Sequence, residues 1–340
     1  MQKVTFLLVA VILSVSGFAY AQNPTTESYQ NIDRVCESEE NFVTEGGVTD
    51  LQMVMAAYCG QLGKLKEFAK MGGNLNAKAN VYFVVRRYTE YARVWIHNAS
   101  PFIVTALQQN EDLIDYFAKK SKKGEVEADY QAQIKMDPIW TFEKIDALGA
   151  IGSGICDARA QKQCIIPQRK LLKKIAAVSG NKSSNALLWA IRGGDKVSLS
   201  YLHNRGYSFD GQLGPFNALQ IAVATPFVEA NDGFTGRMVR PIGRSLHEDA
   251  VRWLTNKGVT TDARTAALAL SFDKVFKANW ATYPQSILST VTKDTDKEEV
   301  KGILKELCSK GAPAVFTAPP FSDSPANENQ VALAAAAGSI

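Results

Sequence analysis

The residue types that most often carry catalysis are few and scattered in this sequence. Its three histidines are His97, His203 and His247, and none stands in a metal-binding spacing such as His-Glu-x-x-His. The glycines of segment 149–154 are in the wrong order for a phosphate loop, and no Gly-x-Ser-x-Gly motif occurs. We therefore predict no enzyme activity, no metal and no cofactor. The alternative is a hydrolase, which would need a pocket joining a histidine to a carboxylate or hydroxyl.

Segment 81–96 carries the residue types that dominate protein-binding surfaces. It is rich in β-branched and aromatic residues, so we predict a long β-hairpin with its tip near 88–90. Trp, Tyr and Arg are enriched in binding hot spots. Two uses of the hairpin stay open, namely binding a partner and packing over a neighbouring insertion. If it binds, the predicted contact residues are Arg86, Arg87, Tyr88, Tyr91, Arg93 and Trp95.

A second candidate for binding is segment 225–245, which contains Arg237, Arg240 and Arg244 with few acidic residues. Guanidinium groups bind carboxylates and phosphates, so the segment could contact an anionic group or an acidic protein surface. The alternative is a solvated loop. We take Arg240 as a secondary contact residue.

The five cysteines allow more than one pairing. Cys156 and Cys164 lie close in sequence across a short polar loop, which favours a bridge between them. Cys36 could bridge Cys59 and so tie the N-terminal segment to the first helix pair. Cys308 would then remain as a buried thiol in an apolar helical pattern. The sequence alone does not fix the pairing.

The N-terminus has the pattern of a secretory signal peptide. Lys3 precedes an almost wholly apolar run at 4–15, and the sequence Ala-Tyr-Ala at 19–21 provides small residues at a cleavage position. We predict cleavage after residue 21 and a periplasmic or secreted protein, in which disulfides persist. The alternative is an uncleaved N-terminal anchor. We expect no stable membrane insertion after cleavage.

The rest of the chain must position these residues, and its organising stretch is 56–77. Two small residues close a short helix there, a glycine turn follows, and a second helix with an apolar stripe ends at a glycine pair. So short a helix pair cannot bury its own apolar face and needs similar neighbours. Related stretches follow at 100–121, 185–206, 217–258 and 265–311. A degenerate sixth stretch would place its first helix at 141–148.

These stretches resemble the ankyrin repeat family, whose pattern is a Thr-Pro-Leu-like helix start, Ala-Ala, a glycine turn and a final Gly-Ala-Asp-Val-Asn-Ala. The matching residues of the first stretch are Ala56, Ala57, Gly60, Leu65, Phe68, Gly72, Asn74, Leu75, Asn76 and Ala77. The resemblance implies a mainly α fold, an ankyrin-type helical solenoid with a long β-hairpin insertion. The spacing exceeds the family period of about 33 residues, so the array carries insertions.

The predicted organisation has four parts. A signal peptide covers 1–21, an N-terminal cap covers 22–47, and about five to six repeat units cover 48–313. Within the cap, segment 28–40 could form a capping helix. Insertions occupy 79–98, 125–180 and 225–245, and a flexible tail covers 314–340.

The resemblance implies a protein-binding scaffold. We expect the partner to be another protein and the scaffold to be a monomer. Composition agrees with a globular chain, with 46% hydrophobic residues. A formal net charge of +4 is weak for 340 residues, and we expect no nucleic-acid partner. A toxin-neutralising or host-directed secreted factor is the alternative role for the same surface.

Overall fold

The fold combines short helices with a five-stranded β-sheet. The computed structural model describes residues 29–32, 36, 42, 46–87, 90–136, 139–155, 169–214, 216–230, 244–278 and 283–309. Within these ranges the chain forms thirteen helices, a five-stranded mixed sheet and a two-stranded ribbon. The expectation of a mainly α, ankyrin-type solenoid is therefore wrong, and the protein is a mixed α/β protein.

The helices form two rows. The first row consists of the odd-numbered helices from α1 to α11, and each packs against the next helix of that row. The second row consists of the even-numbered helices from α2 to α10, and each packs on the helix that precedes it in the chain. The helices are α1 (Asp50–Tyr58), α2 (Leu62–Lys70), α3 (Pro101–Gln108), α4 (Glu111–Ser121), α5 (Ala147–Gly152), α6 (Arg169–Ala176), α7 (Ala186–Gly193), α8 (Lys196–Asn204), α9 (Ala218–Ala230), α10 (Arg244–Asn256), α11 (Ala263–Ala278), α12 (Gln285–Thr292) and α13 (Lys297–Ser309).

Local sequence signals start several of these helices. Thr49 and Gln52 form a reciprocal capping box at α1, which satisfies two backbone N–H groups that lack helical partners. Ser100 accepts a hydrogen bond from the backbone N–H of Ile103 at α3, where Pro101 occupies the first position. These caps fix the starts of helices that are too short to be stable alone.

The five-stranded sheet follows the order β1-β2-β3-β4-β5. The two-residue strand β1 pairs with β2 in parallel, and the other neighbouring strands pair antiparallel. The hairpin predicted at 81–96 is present as the second and third strands of this sheet. The strands are β1 (Gln30–Asn31), β2 (Ala79–Arg87), β3 (Glu90–Ala99), β4 (Ala132–Met136) and β5 (Ile139–Ile145), while β6 (Gln212–Leu213) and β7 (Phe216–Asn217) form the ribbon.

Two local predictions fail where the sheet forms. The first helix expected at 141–148 is instead the end of β5 followed by α5. Ile139 and residues 143–145 pair with β4, and the β-branched and aromatic residues between them favour a strand. A capping helix expected at 28–40 is replaced at Gln30–Asn31 by strand β1. In both places tertiary pairing with a neighbouring strand overrides a weak helical pattern.

Helices α5 and α7 approach each other very closely. A Cβ atom built on Gly193 of α7 would lie 2.2 Å from the carbonyl oxygen of Gly152, and one built on Gly152 would lie 3.2 Å from the Cβ of Ala190. The glycines of segment 149–154 thus serve helix packing. Arg192, which is fully buried, donates from Nη1 to the carbonyl oxygen of Ser153 at 2.7 Å and so joins the same two helices.

The sheet is joined to the helix rows by two buried side chains. Trp189 of α7 donates its indole N–H to the carbonyl oxygen of Lys144 in β5 at 2.9 Å. Asp146, directly after β5, accepts a hydrogen bond from the backbone N–H of Gly149 and so caps α5. The end of β5 and the start of α5 are therefore fixed relative to α7.

Burial raises the pKa of the Asp146 carboxyl above its ordinary value, although the hydrogen bond from Gly149 opposes this shift. A raised folded-state pKa means that the folded protein keeps this proton to a higher pH than the unfolded chain. The contribution of Asp146 to stability therefore falls as pH rises from about 4, the pKa of the unfolded chain, through the raised folded value.

We expect Asp146→Asn to gain stability relative to the wild type as pH rises through that window, because the amide keeps the cap without the charge. Asp146→Ala, which removes the cap, should be about 1 kcal/mol less stable than the wild type at the low-pH end of this window, where burial of the wild-type carboxyl costs least. Urea unfolding at pH 4 to 8 measures both differences. A constant difference between the Asn variant and the wild type across this range would contradict the argument.

Candidate protein-binding face

The five-stranded sheet has one face in the core and one face that is partly exposed. Inner positions pack toward α1, where the rings of Tyr58 and Phe83 are 5.5 Å apart. An antiparallel sheet of this kind normally places polar residues on its other face. The buried inner positions are Val81, Phe83, Val94, Ile96, Ala132, Ile134 and Ile145.

The partly exposed outer face instead carries a row of aromatic rings. Tyr82 and Trp95 are cross-strand partners on β2 and β3, with ring centroids 4.8 Å apart. Tyr29, which precedes β1, meets Trp95 edge-on at 5.2 Å and stacks on Phe142 of β5 at 6.4 Å. We call these four residues the aromatic row. Because all four are partly exposed, the row reaches solvent across the width of the sheet.

Polar and cationic groups flank the aromatic row. Lys135 of β4 pairs in register with Trp95, and its ammonium lies 5.8 Å from the centroid of the Phe142 ring. His97 of β3 pairs with Gln133, and its ring lies 6.5 Å from that of Tyr29. The face thus combines flat apolar rings with hydrogen-bond donors, which is the chemistry of protein-binding hot spots.

The predicted contact residues of the hairpin continue the same register. Arg86 pairs with Tyr91, and Arg87 pairs with Glu90, beyond the pair formed by Tyr82 and Trp95. Arg93 pairs with position 84 in the same ladder. Of the predicted set, the structure describes the side chain of Trp95, and it places Trp95 in the centre of the aromatic row. Tyr88 and Arg240 lie outside the described residues.

Sequence reasoning missed Tyr29 and Phe142 as members of this face. Phe142 fell in a segment assigned to a helix, and Tyr29 lies about 50 residues from the strand that β1 pairs with. One signal was available, since small or apolar residues alternate with polar ones at 132–136 before the Asp-Pro at 137–138. That alternation predicts a second hairpin and would have brought Phe142 onto the sheet.

A disulfide lies near the start of the sheet. Cys36 and Cys59 are bonded, with Cα atoms 5.3 Å apart, which joins the segment after β1 to the end of α1. The sequence analysis gave this pairing as one possibility, and the structure contains it. Cys156 and Cys164 lie outside the described residues. In the described part of the chain, no helix is long and apolar enough to cross a membrane.

The histidines occupy separate packing environments. His97 lies on the outer face, and His203 of α8 packs between the rings of Phe209 and Trp253, with centroids 5.6 and 5.5 Å away. His247 is buried within α10. Among the described residues, no group of three or more His, Cys, Asp or Glu side chains could hold a metal ion.

No protein-family model matches the chain, and no curated protein matches it significantly. The resemblance to ankyrin repeats therefore stays a prediction from the sequence.

Proposed function

We propose that this protein is an exported scaffold that binds another protein through the outer face of its sheet. The aromatic row is the observation that carries the proposal. Four partly exposed rings stand where an antiparallel sheet normally presents polar groups to water. Burying these rings against a partner would remove apolar area from water at about 25 cal/mol per Å².

The rigidity of the face supports the same conclusion. The inner side of the sheet packs on α1, and Trp189 ties β5 to α7. Side chains held on a fixed sheet lose little conformational freedom on binding, so more of the contact energy appears as affinity. The face is also open and spans several strands, which suits a protein surface better than a small molecule.

Export is supported by two features. The pattern at 1–21 is that of a signal peptide, and disulfides such as Cys36–Cys59 persist mainly in oxidising compartments. We therefore place the partner in the periplasm or outside the cell.

Trp95→Ala tests the proposal, because it removes the central ring of the row. Hot-spot truncations cost about 2 kcal/mol or more, so partner recovery should fall at least tenfold. Recovery is measured by affinity purification from the extracytoplasmic fraction with quantitative mass spectrometry. Tyr201→Ala is the matched control, since Tyr201 is a partly exposed aromatic residue on α8. Unchanged recovery of every wild-type partner with folded Trp95→Ala protein would contradict the proposal.

A further inference from the structure

A groove lies between the α10–α11 connection and the last turns of α12. Its volume is about 770 Å³, which falls within the range of small-molecule sites. It belongs to neither the sheet nor the aromatic row. The lining residues are Thr255, Gly258, Val259, Thr260, Thr261, Ser289, Thr290, Lys293 and Asp294.

Five hydroxyl groups line this groove, and three of them act mainly as acceptors. The Thr255 hydroxyl donates to the carbonyl oxygens of Val251 and Arg252, at 3.2 and 3.1 Å. The Ser289 and Thr290 hydroxyls both donate to the carbonyl oxygen of Ser286. A hydroxyl that donates its only proton to its own helix presents lone pairs to the groove. A ligand that supplies O–H donors would satisfy them.

The other two hydroxyls can act in either direction. Thr260 and Thr261 form no hydrogen bond with any residue that the structure describes, so each can donate to a ligand or accept from it. Val259 adds an apolar surface beside them. The groove therefore offers many hydrogen bonds together with a small apolar contact.

The charges at the groove cancel. Lys293 and Asp294 are adjacent, exposed and opposite in charge. The two helices that bound the groove both end there, and helix C-termini disfavour anions. A phosphate would meet these C-termini and Asp294, and an organic cation would meet Lys293. Lys293 thus partly offsets Asp294 and the two helix ends, so neither an anion nor a cation is strongly favoured, which suits a neutral ligand.

We infer that this groove binds a neutral saccharide. Sugar hydroxyls donate to the three acceptor hydroxyls and to Asp294, and sugar oxygens accept from Lys293 and the two threonines of the connection. The C–H face of a sugar ring can pack on Val259. The inference is independent of the protein-binding proposal, because it uses other residues on other elements.

The test uses two neutral trisaccharides, maltotriose and triacetylchitotriose, titrated into the isotopically labelled protein. We expect saturable amide shifts at 255–261 and 289–294 in a ¹H–¹⁵N TROSY spectrum with at least one of them. Thr261→Val and Thr290→Val each remove one hydroxyl with little change in shape. Each variant should weaken binding about three- to tenfold, the effect of one net hydrogen bond.

Thr292→Val is the matched control, because Thr292 also donates to a carbonyl of α12 but does not line the groove. Its affinity should equal that of the wild type, and thermal melts verify that all variants fold. No saturable shift with either sugar up to about 20 mM, where a millimolar site would be nearly full, overturns the inference. Tighter binding of spermidine or glucose 6-phosphate at the same amides also overturns it.

Discussion

Gly193→Ala should destabilise the protein by about 3 kcal/mol or more. The added Cβ would lie 2.2 Å from the carbonyl oxygen of Gly152, far inside the 3.5–4.0 Å at which carbon contacts are favourable. The oxygen belongs to the backbone and cannot rotate away, so α5 and α7 must separate. Overpacking of this kind costs about 1–3 kcal/mol where side chains can adjust, and more where they cannot.

Separating these helices would affect more than one contact. Arg192 donates to the carbonyl oxygen of Ser153, and Trp189 donates to that of Lys144. Both bonds start on α7, so a shift of this helix lengthens them and leaves buried polar groups unsatisfied at a cost of about 1–3 kcal/mol each. The effect should therefore reach the sheet as well as the helix rows.

Gly302→Ala in α13 is the matched control for Gly193→Ala. No heavy atom lies within 4 Å of a Cβ at this exposed helical position. Alanine should stabilise α13 by up to about 1 kcal/mol through helix propensity. Urea unfolding followed by circular dichroism measures both variants. Equal stability of the two would show that α5 and α7 do not pack as closely as described.

Removing the Cys36–Cys59 disulfide should cost about 3 kcal/mol. The two residues are 23 apart in sequence, and a loop of this length gives about that loss in the chain-entropy description. The double variant Cys36→Ala/Cys59→Ala isolates this bond, whereas dithiothreitol acts on every disulfide in the protein. Urea unfolding under non-reducing conditions measures the loss.

The same variant should weaken the partner binding that we propose for the aromatic row. Tyr29 lies directly before β1, and Cys36 lies five residues after it. Because the disulfide anchors this short segment, it helps to hold the Tyr29 ring against Trp95 and Phe142. Losing the bond should reduce the fraction of molecules with Tyr29 in place. If the double variant unfolds at the same urea concentration as the wild type, the disulfide does not stabilise the fold as argued.

Local chemistry made part of the fold predictable. Ser100 before Pro101 marks the start of α3, and the aromatic and β-branched run at 81–96 marks the hairpin. Both signals act between neighbouring residues, so they can be recognised without knowledge of the rest of the chain.

The five-stranded sheet was not predicted, because its assembly depends on distant pairing. Gln30 pairs with Val81, about 50 residues away, and nothing in a two-residue strand specifies such a partner. Because the resemblance favoured helices, the alternation of polar and apolar residues at 132–136 was not interpreted as a strand. That alternation predicts β4, and hence β5 as its hairpin partner. The candidate face was therefore half predicted, through Trp95, and half missed, through Tyr29 and Phe142.

Photo-crosslinking in living cells tests the central claim most directly. A benzoyl-phenylalanine at position 82 would lie in the aromatic row, beside Trp95. The account predicts a discrete adduct with one extracytoplasmic protein, absent when the probe is at position 201 on α8 and lost when Trp95→Ala is added. No adduct at position 82, or the same adducts from positions 82 and 201, would contradict the claim that this face binds a protein partner.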